Sequence, residues 1–119
     1  MIVKRVEDCQ PFKAVDGSTV VELIGLATTG TREISLALAW VEPGKATIPH
    51  KHEFTEIYLI AEGEGLMHLG AEKWKVSEGD AILIPPRHIH HIENLGSRKL
   101  AIWCICTPAF TIEKTTIEK

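Results

Sequence analysis

One segment concentrates much of the chemistry of this chain, GKATIPHKHEFTE at residues Gly44–Glu56. It contains His50 and His52, which are two positions apart. Successive side chains of a β-strand point to opposite faces, so a strand here would send both imidazoles to the same face. Glu56 follows after a short corner, so its carboxylate can reach the same point. The segment predicts two strands that bring two imidazoles and one carboxylate together.

A second histidine-rich segment lies about one hairpin further along, GDAILIPPRHIHHIEN at residues Gly79–Asn94. It predicts a short apolar strand, a Pro-Pro corner and another strand that begins among several histidines. Three imidazoles and one carboxylate suit a divalent Mn, Fe, Ni, Cu or Zn ion and leave positions for water or substrate. An alternative stays open, because some of the six histidines could simply be surface or hydrogen-bonded residues.

The rest of the chain alternates short apolar or β-branched runs with Gly and Pro turns. The predicted strands are Val20–Ile24, Ile34–Val41, Ala46–His52, Glu56–Ala61, Leu66–Leu69, Glu72–Val76, Ala81–Ile84, His90–Glu93 and Leu100–Cys106. Strands of this length and turn spacing are typical of an antiparallel sandwich or barrel. No segment has sustained helical periodicity, although Glu7–Ala14 can hold one turn. We expect the polar tail, Thr111–Lys119, to fray or to pack on a neighbour.

The length and the strand pattern predict one all-β domain spanning residues 1–119. The 119 residues are 45% hydrophobic and 24% charged, which argues against disorder. The net charge is −3 and there is no run of like charges, so we expect no nucleic-acid partner. No apolar run is long enough to cross a bilayer, so we expect no membrane partner. The N-terminus lacks a secretory pattern, and we expect a cytoplasmic location.

The three cysteines, Cys9, Cys104 and Cys106, do not suggest a disulfide framework. Cys104 and Cys106 are two positions apart, so a strand would point both in the same direction. We therefore expect reduced thiols. Close to a redox metal they could be oxidised or could modulate it, and otherwise they are buried structural thiols.

Two long motifs resemble those of the cupin family. Residues 44–63 match the first motif at every defined position, Gly44-x5-His50-x-His52-x3-Glu56-x6-Gly63. Residues 79–94 match the second motif, Gly79-x5-Pro85-x-Arg87-x2-His90-x3-Asn94, with one departure. Arg87 stands where the family normally has glycine. A looser resemblance extends from Asp16 to Phe110.

This resemblance implies a double-stranded β-helix, the cupin jelly-roll barrel, with a metal ion inside. The metal ligands that it implies are His50, His52, Glu56 and His90. Strand alternation would put His88 on the same side as His90, where it could line the pocket or cap the turn. His91 falls on the opposite side and is expected to be structural or exposed. Tyr58 shares a face with Glu56 and could donate a hydrogen bond in the pocket or fill the barrel.

Arg87 leaves the shape of its corner open. A glycine at this place would supply a positive φ at no cost, whereas an arginine would carry about 1 kcal/mol of strain. The turn is therefore either a type I variant or modestly strained. The guanidinium could bind a carboxylate or phosphate of a substrate, or it could be a solvated surface group.

Function is less determined than fold, because cupin barrels host many activities. The first hypothesis is a metal-dependent enzyme acting on a small polar molecule, with a dioxygenase-type oxidoreductase favoured. The second is a sugar isomerase, because His90–Gly96 resembles the cupin domain of mannose-6-phosphate isomerases. The third is a non-catalytic module that binds a small molecule or a metal. We also expect a homodimer formed through sheet edges, with Ile2–Val6 and Val20–Ile24 as the candidate edges.

Overall fold

Two antiparallel sheets form the computed structural model of the chain, which describes residues 1–118. The strands are β1 Phe12–Lys13, β2 Thr19–Ile24, β3 Ser35–Val41, β4 His50–His52, β5 Thr55–Glu62, β6 Glu64–Leu69, β7 Glu72–Ser77, β8 Ala81–Ile84, β9 His90–Asn94, β10 Leu100–Thr107 and β11 Thr115–Ile117. One sheet has the order β1-β2-β3-β10-β5-β8, and the other has the order β11-β4-β9-β6-β7.

Helical structure is confined to short pieces. The α-helix α1 covers Leu26–Thr29, and 3₁₀ turns cover Val6–Asp8 and Ile112–Lys114. None of the helices within residues 1–118 is long and apolar enough to cross a membrane. The strands confirm the predicted all-β jelly roll, and each of the nine predicted strands is present.

The strand that carries the first histidines is shorter than predicted. The prediction gave Ala46–His52, whereas β4 covers only His50–His52. Ala46 makes an isolated bridge to Glu93, and the chain between has no regular pairing. Pro49 immediately precedes β4 and has no N–H to contribute to a ladder.

The C-terminal tail corrects the prediction that it would fray or pack on a neighbour. Thr115–Ile117 forms β11, which pairs antiparallel with β4 of the same chain and places Thr115 opposite His52. Lys119 lies outside the described residues. The segment escaped prediction because it is short and polar, and its pairing is with a strand far away in sequence.

The barrel interior is apolar at one end and holds the histidines at the other. Along β9 the side chains alternate, so Ile92 and Asn94 are buried whereas His91 and Glu93 are partly exposed. The main core cluster contains Val41, Tyr58, Ile60, Met67, Val76, Ile84, Ile92, Leu100 and Ile102. Burying each of the large aliphatic side chains contributes about 1.5–3 kcal/mol of transfer free energy. The main core of the barrel is therefore built from side chains other than the histidines.

A second apolar cluster lies on the outer face of the six-stranded sheet. Its buried members are Val21, Leu23, Leu38 and Ala101. Val6 and Cys9 of the N-terminal segment pack against it, so that segment covers part of the face. Ile2–Val6, predicted as an edge for dimer formation, contains no strand.

The corner between β8 and β9 has a left-handed residue, which decides between the two alternatives for Arg87. Arg87 has φ of 64°, the only positive φ of a non-glycine residue in the described chain. Its backbone N–H donates to the His52 carbonyl at 2.7 Å, so the corner is tied to β4. The modest strain expected of an arginine here is therefore present.

We predict that Arg87→Gly raises the free energy of unfolding by about 0.5–1 kcal/mol, because glycine has no Cβ to clash in the left-handed region. The ion pair lost with Glu53 is long, 3.7 Å, and largely exposed, so it contributes little. Urea denaturation measures the change. Arg98→Gly is the control, since Arg98 is also exposed but lacks a positive φ. Equal effects of the two substitutions would contradict the strain.

Candidate metal centre

Three imidazoles meet inside the barrel. His50 and His52 point inward from β4, and His90 points inward from β9, where it pairs directly with His50. All three are at most 5% exposed. One ring nitrogen from each lies within 4.8 Å of the others. The ring centroids of His50 and His90 are 4.3 Å apart. This cluster could therefore hold a metal ion.

Backbone carbonyls orient two of these rings. The Nδ1 atom of His50 lies 2.7 Å from the Ile48 carbonyl, and that of His90 lies 2.9 Å from the His88 carbonyl. A carbonyl can only accept, so both Nδ1 atoms donate a proton. This tautomer leaves an Nε2 lone pair free for a metal, as is usual for metal-binding histidines.

The third ring is held by the C-terminal strand. The Nδ1 atom of His52 lies 2.7 Å from the Thr115 hydroxyl, and that hydroxyl donates to the Thr111 carbonyl at 3.2 Å. The His52 ring also stacks on Phe54, with centroids 4.5 Å apart. The tail that sequence reasoning treated as peripheral therefore positions a histidine of the site.

A buried carboxylate completes the group. Glu56 on β5 places Oε1 3.2 Å from His52 Nε2 and 3.5 Å from His90 Nε2. Its other oxygen accepts a weak hydrogen bond from the Cys106 thiol at 3.4 Å. Glu56 Oε1 and His90 Nε2 are buried without a well-formed hydrogen bond. Unsatisfied buried polar atoms are rare and costly, and a cation between them would satisfy both. The residues therefore fit a metal ion.

The protonation states also suit metal binding. Burial alone would raise the pKa of Glu56, but close contacts with His52 and His90 lower that pKa to about 2. Burial and the neighbouring His90 lower the pKa of His50 below its usual 6.5. At neutral pH the centre therefore contains a carboxylate and at least one neutral imidazole, which are the forms that bind metals.

A cavity of about 90 Å³ opens beside the histidines, and His50, His52 and Glu56 line it. Most of the remaining lining is hydrocarbon. Three acidic residues line it, Asp16, Glu22 and Glu56, whereas no lysine or arginine of residues 1–118 does. The cavity therefore offers a bound molecule apolar contacts and hydrogen-bond acceptors, but no cationic side chain.

Tyr58 lines this cavity and also belongs to the core cluster. It is 4% exposed, and its ring centroid lies 5.8 Å from that of His90. Burial and the nearby Glu56 raise the pKa of Tyr58 well above 10, so the phenol keeps its proton. Tyr58 both fills the barrel and offers a neutral side chain to the cavity.

The two other candidates from the second motif lie outside the cavity. His88 is exposed and its Nδ1 lies 3.0 Å from the Pro86 carbonyl, so it caps the turn rather than lining the pocket. The prediction from alternation fails because β9 begins only at His90. The Arg87 side chain is 68% exposed and lies 3.7 Å from Glu53, as expected of a surface arginine.

The cysteine thiols of β10 face the cavity. Cys104 and Cys106 are free and contribute to its lining. Burial, and then the charge of Glu56, raises the pKa of both thiols. They therefore stay protonated, and they favour the structural alternative over the reactive one.

Sequence reasoning missed Asp16, which it named only as the start of the looser family resemblance. Its Oδ1 accepts from the backbone N–H and the hydroxyl of Ser18, at 3.0 and 2.7 Å. Its Oδ2 is thereby directed to a point 3.7 Å from His50 Nε2. The Asp-Gly-Ser pattern predicts a turn, and nothing in it indicates that the turn folds over a histidine cluster.

Comparisons with known proteins agree with the fold. A family model described as the cupin domain matches residues 37–106. An uncharacterized protein of Methanocaldococcus jannaschii is 41% identical over 118 residues, 98% of this chain and 94% of that protein. A gentisate 1,2-dioxygenase of Haloferax sp. is 44% identical over 45 residues, 38% of this chain and 13% of that enzyme. The solved structure of KdgF from Halomonas sp. superposes with a TM-score of 0.79 at 18% identity, covering 92% of this chain and 96% of that one.

We predict that the centre binds a metal ion and that His50→Ala and His90→Ala each lose it. The β-sheet circular dichroism signal should persist, because the main apolar core is built from other side chains. Elemental analysis of tag-free protein purified without chelators gives metal per chain. His88→Ala is the matched control, since its ring is exposed, and it should keep the wild-type content. If both variants retained as much metal as the control, the ligand assignment would be wrong.

We also predict that the metal-free protein loses stability as the pH falls. His50 has a lowered folded pKa, so below pH 6.5 its imidazole is protonated in the unfolded chain before it is protonated in the fold. The stabilisation from Glu56 is present above its unfolded pKa of 4.5 and is lost as the pH falls toward about 2. Thermal melts at pH 7, 6 and 5 test the His50 contribution. His50→Gln should lose less thermal stability than wild type between pH 7 and pH 5. An identical loss in the two proteins would exclude a contribution from His50.

Proposed function

Because the chain belongs to the cupin domain family, we propose that its barrel is the active site of a metal-dependent, dioxygenase-type oxidoreductase acting on a small molecule. The observation that carries this proposal is the convergence of three imidazoles and one carboxylate beside a cavity, with Glu56 Oε1 and His90 Nε2 buried and unsatisfied. The matched stretch of the Haloferax gentisate 1,2-dioxygenase supports oxygen chemistry.

In this proposal His50, His52, Glu56 and His90 bind a divalent transition metal, with iron or manganese favoured. Such an ion supplies Lewis acidity and reactivity toward dioxygen. The chain contributes the orientation of the donors, because the Nδ1 partners hold the rings with their Nε2 atoms facing inward. It also excludes bulk water, since the ligands are almost completely buried.

The cavity side chains have separate roles toward the substrate. Asp16 Oδ2 is free of the Ser18 bonds and close to His50, so it can accept a proton from a substrate hydroxyl. The protonated Tyr58 can donate to a substrate oxygen. The hydrocarbon lining favours an apolar body, and the volume of about 90 Å³ limits its size. These features suit a small hydroxylated molecule without a phosphate.

The sugar-phosphate isomerase alternative has weaker support. Arg87, its candidate phosphate ligand, lies outside the cavity, and no lysine or arginine of residues 1–118 replaces it in the lining. The non-catalytic alternative uses the same cavity and differs only in the absence of turnover. Measurement of product therefore separates the enzyme from the binding module.

The homodimer and the cytoplasmic location also stay proposals. Exposed apolar side chains of the N-terminal segment and of the edge strand β1, among them Ile2, Val3 and Phe12, support self-association. Covering them would remove an unpaired strand edge from solvent.

We predict oxygen consumption when tag-free protein, loaded anaerobically with Fe²⁺ or Mn²⁺, is mixed with dioxygen and catechol or hydroquinone. These probes have hydroxyl donors on a small apolar ring, which match the cavity. An oxygen electrode and chromatography of ring-cleaved products measure the reaction. His90→Ala should lower the rate by roughly 10–100-fold or more, because loss of a ligand exceeds the loss of an outer partner.

His88→Ala is the matched control and should keep the wild-type rate. Mannose 6-phosphate, assayed for isomerisation without oxygen, is the competing probe and should give no product. Its conversion to fructose 6-phosphate would overturn the dioxygenase proposal. Tight catechol binding without oxygen consumption would indicate the binding module instead.

A further inference from the structure

A second group of metal-binding side chains lies on the outer face of the five-stranded sheet. Strand β9 alternates, so His90 points into the barrel whereas His91 and Glu93 point outward. The neighbouring strand β6 places His68 directly opposite His91 in the register. Met67 is buried, so the alternation along β6 also sends His68 outward. We call His68, His91 and Glu93 the outer triad.

The three side chains of the outer triad lie close together. The rings of His68 and His91 stack with centroids 4.0 Å apart and planes 12° from parallel. His68 Nε2 lies 2.6 Å from Glu93 Oε2. One donor atom from each member of the outer triad lies within 4.8 Å of the others. The side chains of His68 and Glu93 are 21% and 41% exposed, so an ion can enter from solvent.

From this arrangement we propose that the outer triad is a second metal site, which takes a divalent ion of the Zn²⁺, Ni²⁺ or Cu²⁺ class. Two imidazoles and one carboxylate are the donors these ions prefer, at about 2.0–2.2 Å. Paired strands are about 4.7–4.9 Å apart, so opposite imidazoles can bind one ion once the stacked rings rotate and one nitrogen of each turns toward it. The remaining coordination positions face water.

The surrounding charges are compatible with this site. Glu93 brings a carboxylate to the ion, whereas Lys73 on β7 lies opposite His68 and brings a positive charge. Lys73 is exposed, and its long side chain can turn its ammonium group toward solvent.

The outer triad is separate from the inner centre, because strand β9 lies between them and no residue is shared. An ion bound there would cross-link β6 to β9, the strand from which His90 reaches the inner site. Binding to the folded state alone would also stabilise the fold. The outer site therefore does not depend on the proposed oxidoreductase function.

The experiment uses tag-free, chelator-stripped full-length protein in which His50→Ala and His90→Ala remove the inner centre. Titration with Zn²⁺ against a competing chromogenic chelator should show one remaining site per chain. Adding His91→Gln or Glu93→Gln should weaken its affinity by about 10-fold or more, since even outer partners of a metal site contribute 10–100-fold. His88→Gln in the same background should leave the affinity unchanged.

Circular dichroism checks that each variant is folded, and the Glu93→Gln variant keeps both imidazoles in case a histidine variant does not fold. Electron paramagnetic resonance of bound Cu²⁺ provides a second readout. The inner-site variant should show nitrogen hyperfine coupling from two imidazoles, and the same variant with His91→Gln should show coupling from one. The proposal is overturned if the inner-site variant binds no Zn²⁺. It is equally overturned if its Zn²⁺ affinity is unchanged by both His91→Gln and Glu93→Gln.

Discussion

The pairing of β4 with β9 is the constraint on which the rest of the site depends, because it places His50 directly opposite His90. The strand period of two means that a slip of one residue would turn both histidines of β4 outward. Strand β4 has only three residues, too few to fix a register by their own pairing. Its register is instead fixed from outside, by β11 along its other edge and by the bond from the Arg87 amide to the His52 carbonyl.

The free-energy cost of burying the polar groups of the histidine cluster is offset by the apolar core cluster. A buried carboxylate with an unsatisfied oxygen costs free energy, as does a buried imidazole nitrogen without a partner. Glu56 Oε1 and His90 Nε2 both bear this cost in the metal-free fold. The fold tolerates them because Ile92, Leu100 and Ile102 are almost completely buried and supply a well-packed core. The same cost gives a bound cation its advantage.

The sequence predicts the parts of the structure that are periodic or local. The apolar runs between turns predicted the nine main strands. The spacing of His50, His52 and Glu56, together with the family motif, predicted the residues that form the inner centre. Two of the errors have long-range causes. Thr115 reaches His52 by a pairing across 63 positions, and Asp16 reaches His50 because a turn folds over the barrel mouth. Alternation failed at His88 because a Pro-Pro corner delays the strand to His90. The sequence left the φ of Arg87 open, since both turn alternatives are compatible with an arginine.

The hydrogen bond between Thr115 and the His52 ring means that the inner centre is completed by the C-terminal strand. Thr115 follows every other residue of the inner centre along the chain, so during translation the ligands emerge from the ribosome before the group that fixes one of them. The orientation of His52 therefore has to await the pairing of β11 with β4. A metal ion bound at this centre, as proposed, would meet all of its ligands in their final orientation only after that strand has paired.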